Sequence, residues 1–179
     1  MSSALIVVDM LNDFIDEKGV LFYGSRAKKA IPYIRSLVDR YRRDGGIIIY
    51  VCDSHSKDDR EFSRFSPHCV KGTWGAEVVA GLEPVGPESG GGDFVVRKTR
   101  YSAFYKTDLE DFLKKNDVKE VGVVGVCTSI CVMDTVGGLA NRDYKIRVYE
   151  RGVADLDRKM ERFSVERMRR IYGAEIISS

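Results

Sequence analysis

The stretch VGVVGVCTSIC, residues 121–131, changes character halfway along its length. Its first part, residues 121–126, is a short apolar run of the length that suits a strand buried on both faces. A helical pattern follows over residues 129–141. A strand that passes directly into a helix is the unit from which parallel α/β sheets are built, so this stretch predicts such a sheet.

The same alternation of strand and helix continues on both sides of this stretch. Apolar residues recur at helical spacing among Lys and Arg over residues 31–41, and Gly45 and Gly46 follow as a stop signal. These patterns predict an α/β fold, a doubly wound, Rossmann-like parallel sheet with helices on both faces. The other predicted strands are residues 4–8, 47–51, 94–96, 146–149 and 175–177, and the other predicted helices are residues 109–115 and 159–172.

Length and composition set limits on the class of protein. With 179 residues and 20.2 kDa, residues 1–179 are expected to form a single domain. The 29 Lys and Arg nearly balance the 27 Asp and Glu, and the sequence has no basic stripe of the kind that binds nucleic acid. The apolar run at residues 4–8 is too short for a signal or membrane anchor, so we expect no membrane partner. Four cysteines without a CxxC pair predict free thiols in a reducing cytoplasm.

Two stretches interrupt the alternation of strand and helix. They are residues 12–24 and residues 54–92, and the second ends in Pro84, Pro87 and the glycine triplet at residues 90–92. Irregular segments of this length inside a compact domain are usually functional. We therefore expect them to frame a site.

Reactive residues follow four of the predicted strands. Asp9 ends the first strand, Asp53 and His55 follow the second, Lys98 follows the third, and residues 127–131 join the fourth strand to its helix. Because ligands of open α/β sheets bind outside the carboxyl ends of the strands, these residues are expected on one rim. Each also has an ordinary interpretation, as a helix cap, a solvated surface charge or a small buried apolar residue.

Cys131 is the candidate nucleophile. It lies at the start of a predicted helix and on the same rim as Lys98, and both the helix dipole and a nearby cation favour a thiolate. The spacing of Cys127 and Cys131 is also that of a redox or metal pair one helical turn apart, and that interpretation stays open.

The two histidines of the chain, His55 and His68, lie close to Asp53 in sequence. Residues two apart in an extended segment face the same side, so Asp53 and His55 can share one ligand with His68. Imidazole and carboxylate ligands suit zinc, iron or manganese, and Glu61 is a candidate fourth ligand. If both histidines bind a metal, a carboxylate must supply the catalytic acid and base, and Asp9 is placed to do so. A coincidental Asp-x-His remains the alternative.

Three blocks, VVDMLNDF, RKTRYSAF and GVCTSICVMDT, resemble the motifs of the isochorismatase-like cysteine hydrolases, in the same order along the chain. The additional DSH and PHCVKGTWGAE segments are similar to the nicotinamidase/pyrazinamidase family within that superfamily. This resemblance implies an amidohydrolase that converts nicotinamide to nicotinic acid and ammonia. It also implies a small-molecule amide as substrate and a homo-oligomer, either a dimer or a tetramer.

The resemblance assigns roles to matching positions. Asp9, Lys98 and Cys131 would form the catalytic triad, and the backbone N–H groups of Cys127 and Cys131 an oxyanion hole after a cis peptide between Val126 and Cys127. The metal, zinc first with iron and manganese as alternatives, would be bound by Asp53, His55 and His68 with Glu61 as a further ligand. The implied walls of the substrate pocket are Phe14, Phe65 and Tyr101.

The sequence departs from the nicotinamidase pattern at several positions. Ser129 stands where these enzymes commonly carry Asp, and Trp74 and Ser66 stand where they carry Pro. Ser129 resembles the branch of the superfamily that acts on N-carbamoyl or ureido compounds, which makes such a substrate the first alternative. A non-catalytic, redox-sensing α/β protein with a structural metal is the alternative from another class.

Overall fold

A computed structural model describes residues 2–86 and 92–178 of the chain. Its strands are β1 (Ser2–Val8), β2 (Ile47–Asp53), β3 (Phe94–Lys98), β4 (Val118–Val126), β5 (Lys145–Ala154) and β6 (Glu175–Ile177). Its α-helices are α1 (Asn12–Ile15), α2 (Ser25–Lys29), α3 (Ile31–Arg43), α4 (Leu109–Lys115), α5 (Met133–Ala140) and α6 (Arg158–Ile171). A π-helical turn, Thr128–Val132, leads from β4 into α5.

Within the described residues the six strands form one sheet in the order β3-β2-β1-β4-β5-β6, and every pair is parallel. The direction of strand succession reverses between β1 and β4, where Ala4 pairs with Val121. This is the doubly wound topology that the sequence predicts.

Helices cover both faces of the sheet. Leu37 and Val38 of α3 pack with Leu5 and Val7 on one face, while α4, α5 and α6 pack on the other face, where Met168 is fully buried. Alternate residues of β1 therefore enter different cores. Burying each large aliphatic side chain in this way stabilises the fold by about 1.5–3 kcal/mol.

The main differences from the predicted elements concern the end of β5 and the start of α5. The predicted strand at residues 146–149 extends to Ala154, because the pairing of β4 with β5 shifts between Val123 and Gly125 and leaves exposed Glu150 and Arg151 inside the strand. The helix predicted from residue 129 begins as the π-helical turn.

The segments predicted to be irregular contain short helical elements. Residues 12–24 include α1, and residues 54–92 include the 3₁₀ turns Arg60–Ser63 and Trp74–Ala76. Of the turn residues predicted to close the second segment, Pro87, Gly90 and Gly91 lie outside the described residues. No helix in the described part of the chain is long and apolar enough to cross a membrane.

Candidate active site

The crevice where the order of the strands reverses, between the carboxyl ends of β1 and β4, is the place where this topology binds ligands. The two strands approach so closely here that a Cβ on Gly125 would overlap the backbone of Val8. Gly125 also has a φ of 117°, which favours glycine. Asp9 lies just beyond β1, and Cys127 just beyond β4, so both enter this crevice. The peptide bond between Val126 and Cys127 is cis, as the resemblance predicts.

Asp9, Lys98 and Cys131 meet in a buried cluster. The ammonium nitrogen of Lys98 is 2.8 Å from Oδ2 of Asp9 and 3.5 Å from Sγ of Cys131. Oδ1 of Asp9 accepts a hydrogen bond from the backbone N–H of Asp53 at 2.8 Å. The structure therefore brings together the three side chains that the sequence predicts as a triad.

The second carboxylate oxygen of Asp9 is placed to accept a proton. Oδ2 is buried, and its contact with Lys98 is an ion pair; among the described residues it has no well-aligned hydrogen bond. Burial and the charge of Asp53 raise the pKa of Asp9 to about 6, although Lys98 acts in the opposite direction. A carboxyl group with this pKa exchanges protons readily near neutral pH.

The surroundings of Cys131 act on its thiol in opposite directions. Burial raises the pKa of its thiol well above the usual value, and the opposing effect of Lys98 is smaller. Burial thus opposes the formation of a thiolate, whereas the ammonium of Lys98 favours it. Sequence reasoning included the cation and the helix dipole and omitted the desolvation.

Lys98 contacts Asp9 and Cys131 and also Asp53, which belongs to a second group of buried side chains. Burial alone lowers the pKa of its ammonium, but the carboxylates of Asp53 and Asp9 raise it well above the usual value. Its Nζ lies 2.5 Å from Oδ1 of Asp53. Asp9, Asp53 and Cys131 have ligand atoms within 4.8 Å of one another, and the charged Lys98 already contacts all three of these residues.

A separate group of ligand atoms comes from Asp53, His55 and His68. One atom from each lies within 4.8 Å of the others, and all three residues are buried. Nδ1 of His68 donates to the carbonyl of Ser66 at 2.8 Å, and Nδ1 of His55 lies 3.1 Å from Oδ2 of Asp59. Both Nε2 atoms are thereby left for a ligand.

These residues fit a divalent metal. Nε2 of His55 is buried and has no hydrogen-bond partner in the described structure, which is the condition of a ligand atom without its metal. Two imidazoles and one carboxylate form a donor set that suits zinc, iron or manganese.

Glu61 stands beside this group. Its Oε1 is 4.0 Å from Nε2 of His68, and its buried Oε2 has no hydrogen bond among the described residues. Burial, and then the charge of Asp53, raise the pKa of Glu61. The predicted fourth ligand therefore lies next to the compact three-residue group.

A small cavity opens onto both groups. It is lined by Phe14, Phe65 and Tyr101, the three aromatic residues expected in the walls, and by Cys131, Asp53, Glu61 and His68. Leu21, Tyr23 and Ile130 complete the lining and were absent from the sequence-based set. The ring of Tyr23 packs 5.2 Å from that of Phe14.

A larger cleft, of about 560 Å³, lies elsewhere, between the loop after His55 and the edge of the sheet. Its lining includes Cys52, Lys71 and Glu83 and contains none of the predicted site residues. The small cavity is the better candidate because, among the described clefts, it alone is lined by Cys131 together with the carboxylates of Asp53 and Glu61 and the imidazole of His68.

Asp13 and Asp59 hold the irregular segments in place. Oδ2 of Asp13 accepts from the backbone N–H of Cys69 at 2.7 Å, directly after His68. Asp59 contacts His55 and also receives a hydrogen bond of 2.9 Å from Arg100. Sequence reasoning did not select either residue, because carboxylates in loops give no signal until the loop conformation is known.

Comparison with known proteins adds an independent finding. A model of the isochorismatase domain matches residues 3–179 of the chain. A nicotinamidase/pyrazinamidase PncA from Bacillus subtilis is 31% identical, with a TM-score of 0.93, over 99% of this chain and 100% of that chain. This likeness confirms the predicted fold class.

Two further solved structures are of enzymes with different names. An N-carbamoylsarcosine amidase from Thermoplasma acidophilum is 35% identical, with a TM-score of 0.87, over 99% of this chain and 96% of that chain. A pyrazinamidase of Pyrococcus horikoshii, in complex with zinc, is 26% identical, with a TM-score of 0.90, over 100% of both chains. Two of the three neighbours are named as pyrazinamidases and the third as an N-carbamoylsarcosine amidase, so the fold alone does not identify the substrate.

Proposed function

The chain belongs to the isochorismatase family, and from that premise we propose that it is a nicotinamidase, which hydrolyses nicotinamide to nicotinic acid and ammonia. The observation that carries the proposal is that Asp53 belongs both to the cluster around Lys98 and to the group with the two histidines. One of its oxygens contacts Lys98 of the triad, and the same carboxylate belongs to the group with His55 and His68. The small cavity beside Asp53, His68 and Cys131 has three aromatic rings in its walls, and such rings can stack on a flat heteroaromatic amide.

In the first step Cys131 transfers its proton to Oδ2 of Asp9, and the sulfur attacks the carbon of the carboxamide. The carbonyl double bond opens to an oxyanion, which the backbone N–H groups of Cys127 and Cys131 stabilise. Lys98 is close enough to stabilise the developing thiolate. Asp9 then gives the proton to the nitrogen, the C–N bond breaks, and ammonia leaves.

In the second step water attacks the thioester. Asp9 accepts a proton from the water, the C–S bond breaks, and the sulfur of Cys131 recovers its proton as nicotinic acid is released. One carboxyl group alternates between base and acid, which its position beside Lys98 and Cys131 allows.

A divalent metal, with zinc first and iron or manganese as alternatives, would be held by Asp53, His55 and His68, with Glu61 adjacent. When bound, it would supply a Lewis acid that recognises the pyridine nitrogen and orients the amide toward Cys131. The zinc in the Pyrococcus horikoshii neighbour is consistent with this assignment.

A second candidate is an amidase acting on an N-carbamoyl or ureido compound. It is favoured by the 35% identity to the N-carbamoylsarcosine amidase and by Ser129 beside the nucleophile. The same thiol chemistry would operate on this substrate. An N-carbamoyl or ureido compound, however, has no ring nitrogen for a metal held by the two imidazoles to bind.

The test compares ammonia release from nicotinamide and from N-carbamoylsarcosine by the purified, metal-loaded protein. A higher kcat/KM on nicotinamide supports the nicotinamidase assignment, whereas the reverse preference replaces it with the second candidate. A Cys131→Ala variant run alongside tests the nucleophile, and Cys52→Ala, a buried thiol outside the small cavity, is its matched control. Hydrolysis by Cys131→Ala at the wild-type rate would exclude the thioester mechanism.

A further inference from the structure

Asp155 occupies the carboxyl end of β5, on the same rim as the triad. It follows Ala154, the last residue of the strand, and it is 5% exposed. Its Oδ2 accepts a hydrogen bond of 2.7 Å from the backbone N–H of Ser129. A buried carboxylate that accepts from a peptide N–H makes a short, charge-assisted bond.

The partner of Asp155 is the middle of the turn that carries the nucleophile. Ser129 lies between Cys127 and Cys131, whose N–H groups are the proposed oxyanion donors, and all three belong to the junction between β4 and α5. Within the turn, the N–H groups of Ile130 and Val132 donate hydrogen bonds to the carbonyl of Cys127. The hydrogen bond from Ser129 to Asp155 connects the turn to the end of the neighbouring strand β5.

Asp155 is itself fixed by other residues. Its backbone N–H donates to Oε2 of Glu161 on α6 at 2.9 Å, and the same carboxylate forms an ion pair with Arg26 of α2. A chain of contacts therefore runs from Arg26 through Glu161 and Asp155 to Ser129. These contacts hold Asp155 in place, so its carboxylate is a fixed acceptor for the N–H of Ser129.

We propose that Asp155 is a positioning residue that holds the Cys127–Cys131 turn so that its backbone donors face the developing oxyanion. Asp155 is absent from the lining of the small cavity among the described residues, so its effect passes through Ser129. The inference rests on the proposed thiol chemistry but not on the identity of the amide. Donors that shift by a fraction of an ångström lose much of their stabilisation of a transition state.

The kinetic test uses Asp155→Ala, Asp155→Asn and a matched control, Asp157→Ala. Asp155→Ala is expected to lower kcat by about 10- to 100-fold with little change in KM, because the oxyanion forms only after binding. Asp155→Asn keeps an oxygen that can accept from Ser129 and is expected to recover most of the rate. Asp157 caps α6 by accepting from Lys159 and Met160, and its own N–H lies 3.4 Å from Oδ1 of Asp155. Asp157→Ala removes the cap and keeps both this N–H and the bond from Ser129 to Asp155, so it controls for loosening of the helix end.

A second measurement needs no substrate. Hydrogen–deuterium exchange of a peptide covering residues 127–132 is expected to be faster in Asp155→Ala than in the wild type and in Asp157→Ala. Unchanged exchange, or a kcat of Asp155→Ala within about twofold of the wild type, would overturn the proposal. So would an Asp155→Asn variant as slow as Asp155→Ala.

The kinetics are measured on whichever amide the wild type hydrolyses. If the wild type hydrolyses another amide and not nicotinamide, the nicotinamidase assignment is wrong. If Asp155→Ala then hydrolyses that amide more slowly than the wild type, the role of Asp155 is still supported. If the wild type hydrolyses none of the amides, the exchange experiment alone decides whether Asp155 holds the turn.

Discussion

The triad and the Asp53–His55–His68 group are neighbours that are built in different ways. Asp9 and Lys98 lie at the ends of β1 and β3, and Cys131 lies in the turn after β4, so the sheet sets their separation. His55 and His68 belong to a long segment whose described residues form short 3₁₀ turns and isolated bridges, one of which pairs His55 with Val70. Their positions depend on individual bonds to Asp59, to Ser66 and, through Cys69, to Asp13.

This difference predicts that the two groups respond to different kinds of substitution. The triad should tolerate changes in the loops and fail when one of its charges is removed. The histidine group should lose its metal after changes at residues that contact no metal. Asp53 belongs to both groups, so it cannot be used to separate them. The following variants are ordered by the size of the expected effect.

Lys98→Met is expected to have the largest effect. It removes the cation that contacts Asp9, Asp53 and Cys131, and it leaves two carboxylates in a buried site. We expect kcat/KM to fall on the order of 10³-fold and the free energy of unfolding to fall by about 3–5 kcal/mol. Assays at fixed metal concentration and urea unfolding measure the two effects. Lys114→Met, at an exposed ion pair with Glu110, is the control and should leave both almost unchanged.

His68→Ala tests the second group with the triad intact. Bound metal per chain, measured by atomic emission after dialysis, should fall because one of the three ligands is lost, with an affinity loss of about 10²-fold or more. The rate of Cys131 alkylation should stay near that of the wild type. Ser66→Ala is the control, since the bond from His68 uses the backbone carbonyl of Ser66. Full metal content in His68→Ala would contradict the assigned ligand set.

Gly75→Ala tests the dependence of the histidine group on distant packing. A Cβ at Gly75 would overlap the carboxylate of Asp13, which must then move away from the N–H of Cys69. We expect a loss of about 1–3 kcal/mol in unfolding free energy and a weaker affinity for the metal. In the same segment Gly86→Ala, whose Cβ would meet no described atom within 4 Å, should change neither quantity.

Tyr149→Phe should have the smallest effect, at a site away from both groups. The hydroxyl groups of Tyr41 and Tyr149 form a buried hydrogen bond of 2.9 Å between α3 and β5. Its loss should cost about 1 kcal/mol in unfolding free energy and leave kcat unchanged. A double variant with Tyr41→Phe should cost less than the sum of the two single variants. A fall in kcat here would contradict the expectation that the Tyr41–Tyr149 hydrogen bond has no effect on the triad.

Much of the triad was predictable because parallel strands bring their carboxyl ends to one edge. Apolar runs located β1, β2, β3 and β4, and the polar residues that follow them were placed correctly without any knowledge of the loops. The metal-ligand candidates were found by residue type, since the chain contains two histidines. Their grouping depended on a loop conformation that the sequence pattern does not encode.

The features that sequence reasoning missed have physical causes. The irregular pairing of β4 with β5 placed Glu150 and Arg151 inside a strand, so the rule that identified Asp9 and Lys98 was never applied to Asp155. Tyr23 lies in an irregular segment, where periodicity gives no information. The effect of burial on the pKa of Cys131 becomes visible only when the chain is folded.

The pairing of β1 with β4 has a consequence for the order in which the protein is made. Asp9 and Lys98 precede β4 and Cys131 along the chain, so the ribosome delivers them before the fourth strand and its turn. Until then the inner edge of β1, which pairs with β4 in the finished sheet, exposes a row of unpaired peptide groups. The proposed nucleophile is therefore the last of the three triad side chains to be synthesised, after the proposed base and the cation.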